Sequence, residues 1–316
     1  MLDILRVSHV VYRVADLEKA VFFYRDLLGF VETERNGDEV FLRGVEEGQH
    51  HSLVLRKSSS PGLSYASLRV KRPEVLDEAR ERFDELGIRY RRAKERGVED
   101  ALLFEDPQGL PIMLYHDMEY VGDRRLKFHE YRGVTPVRID HINFMVRDLD
   151  AEVEFYTKLL GFTETETFLD REGKKTVSWM TRIGHSHEIA IARSSRNVPG
   201  FHHATFYVHD VRDIIRAADI VSSAKCGIAW REDLEGTGLR RVSTFTLGTE
   251  IRTESSSSPE TTSSWIRING SRLPGLGTSS GIDPTSGEGR SQSRGFTNGF
   301  PWKISRVNYG GGIIDP

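Results

Sequence analysis

His9-Val10-Val11-Tyr12-Arg13-Val14-Ala15-Asp16-Leu17 returns further along the chain as His141-Ile142-Asn143-Phe144-Met145-Val146-Arg147-Asp148-Leu149. The agreement continues at constant offset through Phe23-Tyr24 and Phe155-Tyr156, then Leu27-Leu28-Gly29-Phe30 and Leu159-Leu160-Gly161-Phe162. It ends with Glu32-Thr33-Glu34 and Glu164-Thr165-Glu166. An internal repeat sets the architecture before any motif is read. Each copy begins with an alternating, β-branched segment, 7–14 and 137–146, which predicts a strand. Asp16 or Asp148 then stands where it can cap the first turn of a helix. Gly29 or Gly161 closes that helix, since glycine alone enters the left-handed region without cost.

Working outward, strands are predicted at 40–42 and 52–56 in the first copy and at 176–181 and 188–193 in the second. The first copy continues with a strand at 63–70, a helix at 73–86 closed by Gly87, and a strand at 101–104. The turn Asp106-Pro107-Gln108-Gly109 and a strand at 110–115 complete it. The second copy supplies a strand at 201–208 and a helix at 211–221, and there the match stops. The fold class is therefore α+β: tandem modules of two βαβββ units, the first spanning 1–125 and the second, cut short, 134–230. Residues 231–316 form an irregular tail rich in serine and glycine, in which 244–251 is a candidate strand. A two-base shift of reading frame would account for the tail. Read that way, 245–260 permits an Asp-Pro-Asp-Gly turn followed by an acidic residue, and the gene's nucleotide sequence tests the idea.

The chain has 316 residues, a net charge of -3, eleven histidines and one cysteine, Cys226. That balance offers no basic patch for nucleic acid or anionic membrane. No apolar run approaches the ~20 residues that span a bilayer, and the first residues lack the pattern of a signal peptide. A lone cysteine permits no disulfide within the chain, so the expected setting is the cytoplasm, with Cys226 an inert thiol. Histidine is the residue type to follow, because neutral imidazole is a common ligand for transition metals.

Paired βαβββ modules carrying His141 and, about sixty residues on, His203 resemble the vicinal oxygen chelate superfamily. Within it the chain is similar to the type I extradiol dioxygenases, particularly the 3,4-dihydroxyphenylacetate 2,3-dioxygenases. The resemblance rests on Glu46-Glu47-Gly48-Gln49-His50-His51, Val137-Arg138-Ile139-Asp140-His141, Trp179-Met180-Thr181-Arg182 and Pro199-Gly200-Phe201-His202-His203. It implies cleavage of a catechol beside its hydroxyls, with O₂ as co-substrate and Fe(II), or Mn(II), as cofactor. The family holds this metal with two histidines and a carboxylate, leaving a face open for substrate. The match assigns His141 and His203 as ligands, His187 as the acid/base, and Trp179 and Asn143 to the substrate side. It also implies a homotetramer.

The third ligand is expected four residues after the glycine of an Asp-Pro-x-Gly turn that this chain lacks. Glu250 and Glu254 are the nearest carboxylates. At the three ligand positions the first module has His9, Tyr65 and Met113, so it reads as a scaffold without iron. His202 is expected on the opposite face of its strand from His203, in a structural role. His185 is expected in a solvated loop, and His50 and His51 in packing or an interface. Three readings stay open: an active dioxygenase, a copy inactivated by its tail, or another metalloenzyme or metal-free binder of the superfamily.

Overall fold

The computed structural model describes residues 1–184, 187–194 and 199–224, together with the backbone of 230–231, 244–252 and 261–269. The first module runs β1 (Ile4–Val14), α1 (Leu17–Val21), β2 (Val31–Asn36), β3 (Glu39–Arg43) and β4 (Leu53–Lys57). Its second unit is β5 (Gly62–Val70), α2 (Glu74–Leu86), β6 (Tyr90–Glu95), β7 (Val98–Glu105) and β8 (Pro111–Tyr115). The eight strands form one sheet in the order β2-β3-β4-β1-β5-β8-β7-β6.

The repeat reproduces this architecture. β9 (Ile139–Val146), α3 (Leu149–Glu154), β10 (Thr163–Leu169), β11 (Lys175–Thr181) and β12 (Ile189–Arg193) are followed by β13 (Gly200–Tyr207) and α4 (Val211–Ser223). β14 (Trp230–Arg231), β15 (Thr244–Arg252) and β16 (Thr261–Asn269) complete a second sheet in the order β10-β11-β12-β9-β13-β16-β15-β14. β15 coincides with the candidate strand at 244–251. β14 has two residues where β6 has six, so the second sheet is shortened at that edge. Its last two strands come from the stretch set apart as a tail.

The start of each module follows from its capping aspartate. Asp16 Oδ1 accepts from the Lys19 N–H at 3.0 Å, and Asp148 Oδ1 accepts from the Ala151 N–H at 3.1 Å. Each short helix then widens into a π-helical turn, Phe22–Leu27 and Phe155–Leu159. The Leu28 N–H reaches the Phe23 carbonyl and the Leu160 N–H the Phe155 carbonyl, five residues back. Gly29 (φ +87°) and Gly161 (φ +72°) end these turns. A Cβ on Gly29 would strike the Arg132 carbonyl, so the position requires glycine for space as well as for φ.

The Asp106-Pro107-Gln108-Gly109 turn shows what such a motif does in a module. Asp106 Oδ1 accepts from the N–H groups of Gln108 (3.0 Å) and Leu110 (2.8 Å) and so aims the chain into β8. Gln108 Oε1 accepts from the Arg147 and Asp148 N–H groups of the second module.

One apolar core runs through both modules, from Leu2, Val10 and Leu68 to Ile142, Phe206 and Val221. At its edge the Arg182 guanidinium reaches the Ile4 carbonyl (2.8 Å) and Asp3 (3.0 Å). A smaller apolar cluster, with Val11, Tyr65, Met113 and Tyr115, lies within module one alone. No helix among the described residues is long and apolar enough to cross a membrane.

Candidate metal centre

β9 and β13 run antiparallel, with Ile142 opposite Ala204 and Asn143 opposite His203. That register brings His141 and His203, both buried, to adjoining positions on the two strands. Their Nε2 atoms stand 3.3 Å apart. Two imidazole nitrogens bound to one metal at ~2.1 Å and near right angles would be separated by about 3 Å. The pair is thus spaced as two ligands of a single ion, and neutral imidazole suits a mid-row divalent metal.

His141 is oriented from behind. Asp140 Oδ2 lies 2.7 Å from its Nδ1, so the ring gives its Nδ1–H to the carboxylate and turns Nε2 inward. Burial alone would raise the Asp140 pKa, but the hydrogen bond and charge of His141 hold it below the usual carboxylate value. Thr205 Oγ1 lies 3.0 Å from His141 Nε2. His187 stands beside the pair, its ring centroid 4.3 Å from that of His141 and 6.3 Å from that of Trp179 on β11. Asn143 Oδ1 is buried and has no hydrogen-bond partner among the described residues. The structure brings His141, His203, His187 and Trp179 together, and places Asn143 on β9 opposite His203.

One expectation changes. His202 does not lie on the opposite face from His203: their Nδ1 atoms are 2.6 Å apart. The pairing steps from Phe201–Phe144 to His203–Asn143, so His202 is the extra residue of a β-bulge and strand alternation fails there. Of the two carboxylates named for the third ligand, only Glu250 falls among the described residues. In module one Met113 lies opposite Ser67. In module two the same position on β16, opposite Thr205, is held by Arg267. Glu250 lies on β15 opposite Ser263, away from that position. Glu254, His185 and Cys226 lie outside the described residues. Among the described residues, no group of three or more histidine, cysteine, aspartate or glutamate side chains is placed to hold a metal.

Asp140 and Thr205 were missed by reading the sequence. A signal existed for the first: Asp140 precedes His141 in module two, where module one has Ser8 before His9.

The profile of the Glyoxalase/Bleomycin resistance protein/Dioxygenase superfamily matches residues 6–114 and 138–245. A manganese-dependent 2,3-dihydroxybiphenyl 1,2-dioxygenase of Geobacillus genomosp. 3 is 31% identical over 231 residues, which is 69% of this chain and 73% of that protein. A metapyrocatechase of Pseudomonas sp. (strain CF600) is 29% identical, covering 71% of this chain and 76% of that protein. Among solved structures, homoprotocatechuate 2,3-dioxygenase from Brevibacterium fuscum, in complex with 3,4-dihydroxyphenylacetate, superposes with a TM-score of 0.73 at 30% identity. It covers 85% of this chain and 81% of that one.

Proposed function

Because this chain belongs to the Glyoxalase/Bleomycin resistance protein/Dioxygenase superfamily, we propose that it is an extradiol dioxygenase, opening a catechol ring beside its two hydroxyls. The substrate proposed is 3,4-dihydroxyphenylacetate or a related catechol, and the setting a cytoplasmic homotetramer. The observation that carries the reading is the 3.3 Å approach of His141 and His203 Nε2, with His187 against them.

His141 and His203 would hold Fe(II), with Mn(II) the alternative that the manganese-dependent relative supports. Such an ion supplies an open face on which a diol and O₂ meet. The chain's own residues do the rest. Asp140 fixes the His141 tautomer. His187 accepts the proton that a catechol hydroxyl gives up on binding. Trp179 and Asn143 Oδ1 bound the substrate side, and the buried strands exclude water.

A second reading has its own support. Strand register sets residue 267, an arginine, at the position where the family's pattern calls for a carboxylate. This copy would then bind metal weakly and turn over slowly, as a frame-shifted end of module two implies. Anaerobic iron content, measured together with appearance of the yellow ring-cleavage product from 3,4-dihydroxyphenylacetate, separates the readings. Stoichiometric iron with turnover supports the active enzyme. Little iron and no turnover, both recovered after repairing the frame around Glu250, supports the damaged copy.

A further inference from the structure

Module one holds a histidine cluster that the proposed chemistry does not use. His9 on β1 is the repeat counterpart of His141. Val10 pairs with Leu53 as Ile142 pairs with Ile189, so His51 occupies in module one the place of His187 in module two. Both residues are buried, and their ring centroids are 4.7 Å apart. Among the described residues, neither nitrogen of His9 has a hydrogen-bond partner, nor has His51 Nε2. Leaving three such atoms dry and unpaired in a core is costly.

The tautomer of His51 follows from a chain of contacts. Glu34 Oε2 lies 3.2 Å from His50 Nε2, so His50 carries its proton there. His50 Nδ1 is left as an acceptor, and His51 Nδ1, 3.0 Å away, donates to it. His51 Nε2 is then the acceptor nitrogen of a ring that meets His9 edge-on, with centroids 4.7 Å apart. A carboxylate that passes orientation through one imidazole to the next is the arrangement that readies a histidine for a metal. The rings of Tyr65 and Tyr115 flank His9 at 5.8 and 5.5 Å, and Met113 belongs to the same buried cluster as these tyrosines.

We propose that His9 and His51 form a second metal site, in module one, that binds copper(I). Two imidazoles with aromatic walls, and a thioether in the adjoining cluster, suit a soft monovalent ion better than Fe(II) or Mn(II), which favour a carboxylate ligand. Glu34, tied to Arg96 at 2.7 Å at the surface end of the chain, orients the site without ligating.

The test is an anaerobic titration of the full chain with copper(I) against a chromophoric copper(I) chelator. The wild-type chain and a His141→Ala/His203→Ala double variant should each retain one equivalent. His9→Gln and His51→Gln should weaken retention roughly 10-fold or more, and Glu34→Gln, which leaves the pocket filled, about 10-fold. Circular dichroism checks folding, and Glu34→Gln decides if the histidine variants unfold. No retained copper in the wild type, or retention that depends on His141 and His203 and ignores Glu34, overturns the site and leaves these rings around buried water. Iron content and ring cleavage do not enter this readout, so its failure is separable from failure of the proposed function.

Discussion

Asp140 and Glu152 are buried carboxylates with opposite circumstances. Asp140 has His141 for a partner, and removing it should free the ring to rotate. Asp140→Ala is expected to lower metal affinity about 10–100-fold while the fold survives, measured by equilibrium dialysis against Mn(II) beside circular dichroism. An unchanged affinity would show that His141 is oriented by something else. Glu152 has no cationic partner among the described residues; its carboxyl meets that of Asp106, with the Tyr156 hydroxyl in the same pocket at the module boundary. Burial, and then the charge of Asp106, raise its pKa above the usual glutamate value. The folded state therefore keeps a proton that the unfolded chain releases above about pH 4.3, so this group costs stability as pH rises from there toward its raised folded value. Glu152→Gln should raise the melting temperature at pH 8 by an amount worth roughly 1–2 kcal/mol and flatten its decline between pH 5 and 8. A lower melting temperature at pH 8 would mean that the ionised pair is stabilised in a way the geometry does not reveal. The site histidines were legible because the repeat aligned His141 with His9 and the spacing to His203 matched a known pattern. The Glu152 pocket was not, because Asp106 and Glu152 meet only when two modules pack.

Strands and helices came through where their period was regular. β1, β5, α2 and their partners follow from alternation and capping, and β15 was readable as a strand even in an unpromising stretch. What failed to show was local irregularity. The bulge at His202 inserts one residue into an alternating pattern, and the π-helical turns add one residue per turn to a helical one. Neither leaves a mark in residue type. Gly29 is the exception, since its place after a repeated Leu-Leu marks the end of the turn. Gly29→Ala should destabilise by more than about 2 kcal/mol, combining a positive φ with a clash against the Arg132 carbonyl; urea denaturation measures it, and a loss below 0.5 kcal/mol would contradict the close approach described. On β16, the register makes a sharp prediction. Arg267→Glu puts a glutamate at the register position opposite Thr205 and should raise iron affinity at least 10-fold, read by anaerobic titration. No gain would mean that residue 267 is not at the ligand position.

The two sheets share one strand order, and module one closes with β8 against β5 as module two closes with β16 against β13. Ending the chain at Ala224 would strip β16 from β13 and expose a central strand as an edge. Such a chain should self-associate, with light scattering rising at micromolar concentrations where the full chain stays clear. The seam between the modules was invisible in the sequence, because its contacts join residues far apart: Val7 N–H to Glu188, Arg182 to Ile4, Gln108 to Arg147. The core that crosses this seam has a thermodynamic consequence. Leu68 and Phe206 belong to one apolar cluster, so neither repeat can open without exposing the other's interior. Heating should give a single calorimetric transition, and the slowest-exchanging backbone amides should be divided between β1 and β9. The segment that was duplicated is then smaller than the unit that melts, and a lesion in one copy is felt as lost cooperativity in both.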